Sequence, residues 1–178
     1  MERTRSSRLL HEGRHFSFLS DEVELPDGRR TQRDIVRHPG AVAIVPLLSE
    51  DKVVLVRQYR YAAGKALLEI PAGTLEPGES PLECAARELR EETGYEAGEM
   101  EGLLSCYMAP GYSSEVIHFY VARGLTEVGG EQELDEAIDN EILRLSEVLR
   151  MIEENTIEDA KTIVGILALE KQRKLQRG

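Results

Sequence analysis

The sequence predicts an α/β fold with a mixed sheet, preceded by a small antiparallel β unit. Three observations support this prediction. Short apolar strands follow one another from Ala41 onward, a strongly capped helix interrupts them at 81–93, and two further helices close the chain. Strands with interspersed helices, but without regular alternation, are typical of a mixed sheet and not of a doubly wound parallel one.

Residues 1–38 form the predicted N-terminal β unit. Two stretches of strand character, 16–25 and 31–38, flank a Pro-Asp-Gly turn at 26–28, which is typical of a hairpin. A hairpin alone is marginally stable in water. We therefore expect this unit to pack either on its own domain or on a second subunit.

Residues 39–178 are predicted to form the main domain. Ser146 is the predicted N-cap of the first C-terminal helix, and Thr156 with Asp159 is a predicted capping box for the second. The strands are expected at 41–47, 52–60, 66–70, 103–108, 116–122 and 138–143, with an acidic loop at 127–136.

The best-defined element is the helix over residues 81–93. It has a favourable N-cap in Ser80, a proline at its first position, a capping box completed by Glu83, and a stop at Gly94. At about 100° per residue, one face of this helix is expected to pack on the core. The residues of that face are Leu82, Ala85, Ala86, Leu89 and Thr93.

A neighbouring arc of the same helix carries Glu88, Glu91 and Glu92. Carboxylates at spacings of three and four residues repel one another, so a positive group is expected beside them. Arg87 and Arg90 offset part of this charge, but carboxylate oxygens also suit Mg²⁺, which keeps waters that a phosphate can replace. Glu88 and Glu92 are the first-choice ligands and Glu91 is the next. The alternative is a solvated acidic helix face.

Composition limits the remaining function classes. The chain has 22 Lys and Arg against 33 Asp and Glu, a net charge of −11, and therefore lacks the basic field that non-specific binding to nucleic acid or an anionic membrane requires. Its two cysteines show no zinc or redox spacing, so we expect inert thiols. No signal peptide or membrane-spanning run is present in the sequence, so a cytoplasmic location is expected.

The loop before the helix makes the acidic pattern specific. Gly73 is followed after five residues by Glu79, and after seven more by the run Arg-Glu-Leu-x-Glu-Glu-x-Gly at 87–94. This spacing resembles, position for position, the Nudix box of the Nudix hydrolases, although Tyr95 stands where the family usually has an aliphatic residue. The resemblance implies the Nudix α-β-α sandwich and hydrolysis of a diphosphate with Mg²⁺, or alternatively Mn²⁺.

The resemblance also implies roles for single residues of the box and its loop. The backbone carbonyl of Ala72 is expected to join Glu88, Glu91 and Glu92 as metal ligands, and Glu92 to be required for catalysis. A second implied feature is structural: Arg87 pairs with Glu79, with Glu91 nearby, and holds the loop against the helix. An arginine can do this because its planar fork satisfies two carboxylates at once.

Two features of the sequence resemble features that are typical of the ADP-ribose pyrophosphatase subfamily. Pro110 lies fifteen residues beyond Tyr95, and Arg33 with Asp34 ends an N-terminal segment similar to one that is swapped between subunits. The resemblance implies a homodimer in which Arg33 and Asp34 contribute to the partner's adenosine pocket. Either Phe16 or Phe18 could stack on adenine or pack in the core.

The same resemblance names candidates for substrate contacts and for the general base. Arg57 is expected to contact the substrate's phosphates, and Glu115, after the Pro-Gly turn, is a further candidate beside the substrate or the metal. A glutamate of the acidic loop is expected to activate the attacking water, with Glu136 preferred and Glu133 second; Glu131 and Asp135 remain open.

The predicted function is Mg²⁺-dependent hydrolysis of ADP-ribose to AMP and ribose 5-phosphate. One alternative is another nucleoside diphosphate sugar, such as GDP-mannose or ADP-glucose. A Nudix domain that senses ADP-ribose without catalysis is the less favoured alternative, because every acidic position of the box is present.

Overall fold

The computed structural model describes residues 1–129 and 138–177, and the chain divides into two compact units. Unit 1 comprises Met1–Ala41 and Ser105–Ile117, and unit 2 comprises Val42–Leu104 and His118–Gly178. The predicted N-terminal β unit therefore lies in unit 1, together with a segment from later in the chain.

Unit 1 contains a three-stranded antiparallel sheet in the order β1 (Arg3–Glu12), β2 (Ser17–Glu24), β3 (Arg30–Arg37). The predicted hairpin is β2–β3, and Gly28 adopts a φ of 83° in its turn. The sequence did not predict β1. All its residues are exposed, so no alternation between core and solvent marks it as a strand.

Unit 2 contains two sheets, in the orders β10-β5-β6 and β7-β4-β9-β8. Strands and helices are interspersed along the chain, as predicted. The strands are β4 (Ala41–Pro46), β5 (Lys52–Arg60), β6 (Lys65–Glu69), β7 (Ala72–Thr74), β8 (Tyr95–Tyr107), β9 (Val116–Glu127) and β10 (Ile138–Arg144). The helices are α1 (Pro81–Thr93), α2 (Leu145–Glu153) and α3 (Ala160–Arg177).

The core of unit 2 fixes α1 against the sheet. Val42 and Ile44 of β4 pack with Cys84, Ala85 and Leu89 of α1, and all five are fully buried. Three residues of the predicted core face, Ala85, Leu89 and Thr93, are buried, whereas the other two are not. Leu82 is 50% exposed and Ala86 is also exposed, because the buried face turns toward Cys84 and Glu92.

The caps of the two C-terminal helices differ from those predicted. α2 begins at Leu145, and its N-cap is Arg144, which makes no side-chain capping bond; the prediction of Ser146 was wrong. The N-cap of α3 is Asp159, whose Oδ2 accepts hydrogen bonds from the backbone N–H and hydroxyl of Thr162. Thr156 instead closes the end of α2, because its N–H donates to the carbonyl of Met151.

Candidate metal and diphosphate site

The loop between β7 and α1 is held by the capping chemistry that the sequence predicted. The Ser80 hydroxyl accepts from the N–H of Glu83, and the carboxylate of Glu83 accepts from the N–H of Ser80. Gly94 ends the helix with a φ of 75°. These bonds fix both ends of α1, and with them the direction in which its acidic side chains point.

Two carboxylates of α1 lie against one short piece of backbone. Glu92 is 5% exposed, and its Oε2 accepts a hydrogen bond of 2.9 Å from the N–H of Ala72. Glu88 occupies the space beside Gly73, where an added Cβ would lie 1.8 Å from its carboxylate. An alanine there would require the end of the Glu88 side chain to move. The structure therefore places the carboxylates of Glu88 and Glu92 next to the backbone of Ala72 and Gly73.

Arg87 organises the remaining acids of the box. Its Nε and Nη2 donate to the two carboxylate oxygens of Glu79 at 2.9 and 3.0 Å, which is the predicted pairing. Its Nη1 donates to Glu88 at 2.7 Å and to Glu91 at 2.9 Å. The hydrogen bond from Arg87 lowers the pKa of Glu79 to about 2, and the same pairing raises the pKa of Arg87.

The donor set at this point fits a hard divalent cation. The carboxylates of Glu88 and Glu92 lie one helical turn apart, beside Gly73 and Ala72 respectively, and all their donor atoms are oxygens. Within 1–129 and 138–177, no group of three or more His, Cys, Asp or Glu side chains is close enough to enclose an ion. A partly open site of this kind suits Mg²⁺, which retains several waters and shares phosphate oxygens.

The two arginines of β5 lie on opposite faces of the strand, because side chains alternate along it. Arg57, the predicted phosphate contact, donates from Nε to Glu141 at 2.5 Å, and this hydrogen bond raises its pKa. Arg60 instead forms a two-pronged pair with Glu69 at 2.9 and 2.7 Å, and the charge of Glu92 adds to the rise in the pKa of Arg60. Arg60 is therefore within electrostatic range of Glu92, although its main partner is Glu69.

Sequence reasoning missed Arg60 and Glu69. Glu69 is 1% exposed, and Lys161 at the start of α3 donates a hydrogen bond to the same carboxylate that holds Arg60. Burial raises the pKa of Glu69, but the hydrogen bond from Arg60 and the charge of Lys161 outweigh it, so the net direction is downward. A glutamate between Leu68 and Ile70, in an otherwise apolar strand, was the signal that could have found this cluster.

The substrate-binding candidates of unit 1 lie on β3 and after the 110–111 turn. Arg33 pairs with Glu2 through Nη2 at 2.7 Å, Asp34 is exposed, and Glu115 lies 4.0 Å from the imidazole of His38. Two further candidates, Phe16 and Phe18, are 47% and 37% exposed, so neither ring is packed in the core of this unit. The general-base candidates Glu133 and Glu136 lie outside the described residues, as do Glu131 and Asp135.

Of the two cysteines, Cys84 is buried and Cys106 is partly buried. Burial raises the pKa of Cys84 to about 12, helped by a hydrogen bond with Glu79, and burial also raises the pKa of Cys106. Both thiols therefore stay protonated at neutral pH.

Comparison with protein families gives a match to the NUDIX domain over residues 37–164. The chain therefore belongs to the NUDIX domain family, and the predictions of a Nudix fold and of a Nudix hydrolase are confirmed. Members of this family generally use divalent metal ions, in agreement with the oxygen donors beside Ala72.

Separately, within the part of the chain that the structure describes, no helix has the length and apolar character needed to cross a membrane.

Two curated relatives and one solved structure are similar over nearly the whole chain. A methanol dehydrogenase activator of Bacillus methanolicus is 45% identical over 98% of this chain and 96% of its own length. An ADP-ribose pyrophosphatase of Bacillus subtilis is 37% identical over the same shares of both chains. The crystal structure of an ADP compounds hydrolase has a TM-score of 0.86, with 26% identity over 98% of this chain and 95% of that one.

Proposed function

We propose that this protein hydrolyses ADP-ribose to AMP and ribose 5-phosphate with Mg²⁺. The observation that carries the proposal is the placement of two carboxylates, Glu88 and Glu92, against Ala72 and Gly73. Similarity to a named ADP-ribose pyrophosphatase and to an ADP compounds hydrolase supports this choice of substrate.

The residues of the box would hold the metal and the diphosphate together. Glu88, Glu92 and the carbonyl of Ala72 are the proposed ligands, with Glu91 as the next. Bound Mg²⁺ would neutralise phosphate oxygens and acidify a coordinated water. Arg87 keeps the loop against the helix through Glu79, so that the ligands are positioned before substrate arrives.

The diphosphate also needs a positive side chain from the protein, and β5 offers two. The sequence predicted Arg57, whereas the pairing of Arg60 with a buried glutamate and its electrostatic interaction with Glu92 support Arg60.

Hydrolysis adds one water: its oxygen joins one phosphorus, the bridging P–O bond breaks, and a base removes the water's proton. Glu136 is the proposed base and Glu133 the second choice.

Further residues are proposed to contact the nucleoside of the substrate in a homodimer, in which Arg33 and Asp34 would contribute to the partner's adenosine pocket. Arg33, Asp34 and Glu115 are the proposed contacts, acting in a homodimer, with adenine stacking on Phe16 or Phe18. The exposure of both aromatic rings supports this, because a base can stack only on an accessible ring.

A hydrolysis panel with Mg²⁺ tests the substrate. It contains ADP-ribose, ADP-glucose, GDP-mannose, NADH and dinucleoside polyphosphates, with products identified by chromatography. We expect ADP-ribose to have the highest kcat/KM and to give AMP and ribose 5-phosphate. Faster turnover of GDP-mannose or NADH would overturn the substrate, and binding of ADP-ribose without any hydrolysis would favour the sensing alternative.

The 45% identity with a methanol dehydrogenase activator favours a second candidate, activation of an alcohol dehydrogenase. It is tested by measuring methanol oxidation by a methanol dehydrogenase with and without this protein. A Glu92→Gln variant is the matched control, since a rate increase that survives this change would be independent of the box.

A further inference from the structure

The chain crosses from one sheet of unit 2 to the other at Ile70 and Pro71, directly before Ala72. β6 ends at Glu69 in the sheet β10-β5-β6, and β7 begins at Ala72 in the sheet β7-β4-β9-β8. Ile70 is fully buried, and a buried backbone N–H without a partner costs folding free energy. The N–H of Ile70 therefore needs an acceptor from outside both sheets.

A threonine of α3 supplies this acceptor. The N–H of Ile70 donates to the hydroxyl oxygen of Thr162 at 2.8 Å, and Thr162 is fully buried. The same hydroxyl donates to Oδ2 of Asp159 at 2.6 Å, and Lys161 donates to Oδ1 of that carboxylate at 2.9 Å. A hydroxyl has one proton and two lone pairs, so its bond to Asp159 leaves a lone pair for Ile70. The hydroxyl of Thr162 is therefore fixed as an acceptor.

Gly165 lets α3 lie close enough to Ile70 for this hydrogen bond. It lies about one helical turn after Thr162, and a Cβ added to it would be 2.9 Å from Cδ1 of Ile70 and 3.2 Å from Cγ2 of Val45. Both of these side chains are fully buried, so they have little room to move away. α3 therefore packs on Ile70 in two ways, through the hydroxyl of Thr162 and through the backbone of Gly165.

The hydrogen bond from Ile70 to Thr162 lies two residues before the proposed metal ligand Ala72. Between them, the carbonyl of Pro71 accepts from a backbone N–H of β4 at 2.9 Å, and the N–H of Ala72 donates to Glu92 at 2.9 Å. Three successive residues are thus bonded to α3, β4 and α1 in turn. Peptide units are planar and of fixed length, so a displacement of Ile70 also displaces Ala72.

We propose that Thr162 is a positioning residue for the metal site. Its hydroxyl fixes Ile70 and, through it, the backbone of Ala72, so that the carbonyl of Ala72 and the carboxylate of Glu92 are held in place for the cation. The inference rests on the proposed function, which makes these two groups metal ligands. Mg²⁺ requires nearly ideal octahedral geometry with ligands at about 2.1 Å, so a small displacement of one ligand weakens its binding.

The test compares Thr162→Val, which keeps the shape of the side chain but removes the hydroxyl, with Thr162→Ser, which keeps the hydroxyl. Ile166→Val is the control, because it truncates a fully buried side chain of the same helix that has no hydrogen bond to lose. Two quantities are measured for each protein: the denaturation midpoint, and the affinity for Mn²⁺ alone by electron paramagnetic resonance.

We expect Thr162→Val to weaken Mn²⁺ binding by about tenfold and Thr162→Ser to stay within about threefold of the wild type. Ile166→Val should lower the denaturation midpoint but bind Mn²⁺ like the wild type. Unchanged Mn²⁺ affinity in Thr162→Val overturns the proposal. An equal loss of affinity in Thr162→Ser or in Ile166→Val also overturns it, because the hydroxyl would then not be the cause.

A measurement on the wild type tests the proposal even if Thr162→Val does not fold. The exchange of the Ile70 and Ala72 amide hydrogens is followed by nuclear magnetic resonance with and without Mg²⁺. Coupling between two sites is reciprocal, so bound Mg²⁺ should slow exchange at Ile70 as well as at Ala72. Exchange at Ile70 that Mg²⁺ leaves unchanged overturns the proposal.

The proposed function fails on different results. A wild type that binds Mn²⁺ but does not hydrolyse ADP-ribose would overturn the substrate and leave the positioning role intact, because the Mn²⁺ measurements use no substrate. If Glu92→Gln binds Mn²⁺ as tightly as the wild type, the ligand assignment is wrong and the inference fails with it. If Glu92→Gln loses affinity and Thr162→Val does not, only the inference is overturned.

Discussion

The carboxylate of Glu92 accepts a hydrogen bond of 2.9 Å from the backbone N–H of Ala72. This bond joins the last turn of α1 to the first residue of β7, across the loop that completes the Nudix box. A carboxylate has two oxygens, and a backbone N–H uses only part of its acceptor capacity. Glu92 can therefore be fixed in place and still bind a cation.

The first prediction concerns that carboxylate. Glu92→Gln keeps an oxygen that can accept from Ala72, so the fold should persist, but it removes the negative charge that binds the metal. We expect kcat to fall by roughly 100-fold or more, which corresponds to about 3 kcal/mol, with a denaturation midpoint close to that of the wild type. Glu96→Gln, an exposed change on β8, is the control. Undiminished turnover of Glu92→Gln would mean that the metal ligands are misassigned.

A second prediction tests the close approach of Gly73 to Glu88. Gly73→Ala places a Cβ 1.8 Å from that carboxylate, so Glu88 must move and a proposed ligand is lost. We expect weaker Mn²⁺ binding by electron paramagnetic resonance and at least about tenfold lower activity. In Gly102→Ala the nearest atom to the new Cβ is 4.0 Å away, so this control should bind Mn²⁺ normally. Equal Mn²⁺ affinity in both variants would contradict the prediction.

A third prediction separates the arginines of β5. Arg60→Lys keeps the charge but loses the two-pronged geometry, whereas Arg57→Lys changes the opposite face of the strand. We expect Arg60→Lys to lower kcat/KM by about tenfold, mainly through KM, and Arg57→Lys to stay within about twofold of wild type. Steady-state kinetics with ADP-ribose decide the matter. If Arg57→Lys lowered kcat/KM more than Arg60→Lys, Arg57 would be the phosphate contact, as the sequence predicted.

The sequence predicted α1 to the residue because its limits depend on local chemistry. Ser80, Glu83 and Gly94 act on backbone groups within one turn, so no tertiary information is needed. The positions of Glu88 and Glu92 followed from the same helix. The expectation that the carbonyl of Ala72 is a metal ligand beside them came instead from the resemblance to a family, since spacing alone does not show which backbone a helix will meet.

Features that depend on long-range packing could not be predicted in this way. β1 is exposed along its whole length and lacks a periodic pattern. The cluster of Glu69, Arg60 and Lys161 draws on two strands and on α3, which are far apart in sequence. The exposure of Leu82 and Ala86 on α1 was also missed, because it depends on where β4 lies.

A fourth prediction concerns the corrected cap of α3. Asp159→Ala removes the acceptor for the N–H and hydroxyl of Thr162, and we expect it to lower the free energy of unfolding by about 1 kcal/mol or more. Thr156→Ala should change it by less than about 0.5 kcal/mol, because Thr156 is exposed and precedes the cap. Urea denaturation measures both. Greater destabilisation by Thr156→Ala would support the original capping box.

The last prediction follows from the pairing of Glu79 with Arg87. The pKa of Glu79 is lowered from 4.5 to about 2 in the folded protein, chiefly by the hydrogen bond from Arg87. A lowered folded-state pKa means that the pair stabilises the fold fully above pH 4.5 and loses its effect as the pH falls toward about 2. The wild type should therefore exceed Glu79→Gln in free energy of unfolding by about 2 kcal/mol at neutral pH.

That difference between wild type and Glu79→Gln should shrink steadily when urea denaturation is repeated at decreasing pH between 4.5 and 2. Glu76→Gln, an exposed change in the same loop, controls for the loss of one negative charge. A difference that stayed constant down to pH 2 would show that the effect of Glu79 does not come from its ionised form. The hydrogen bonds of Arg87 to Glu88 and Glu91 do not involve Glu79, so the comparison targets the pair of Glu79 and Arg87, which links the loop to α1.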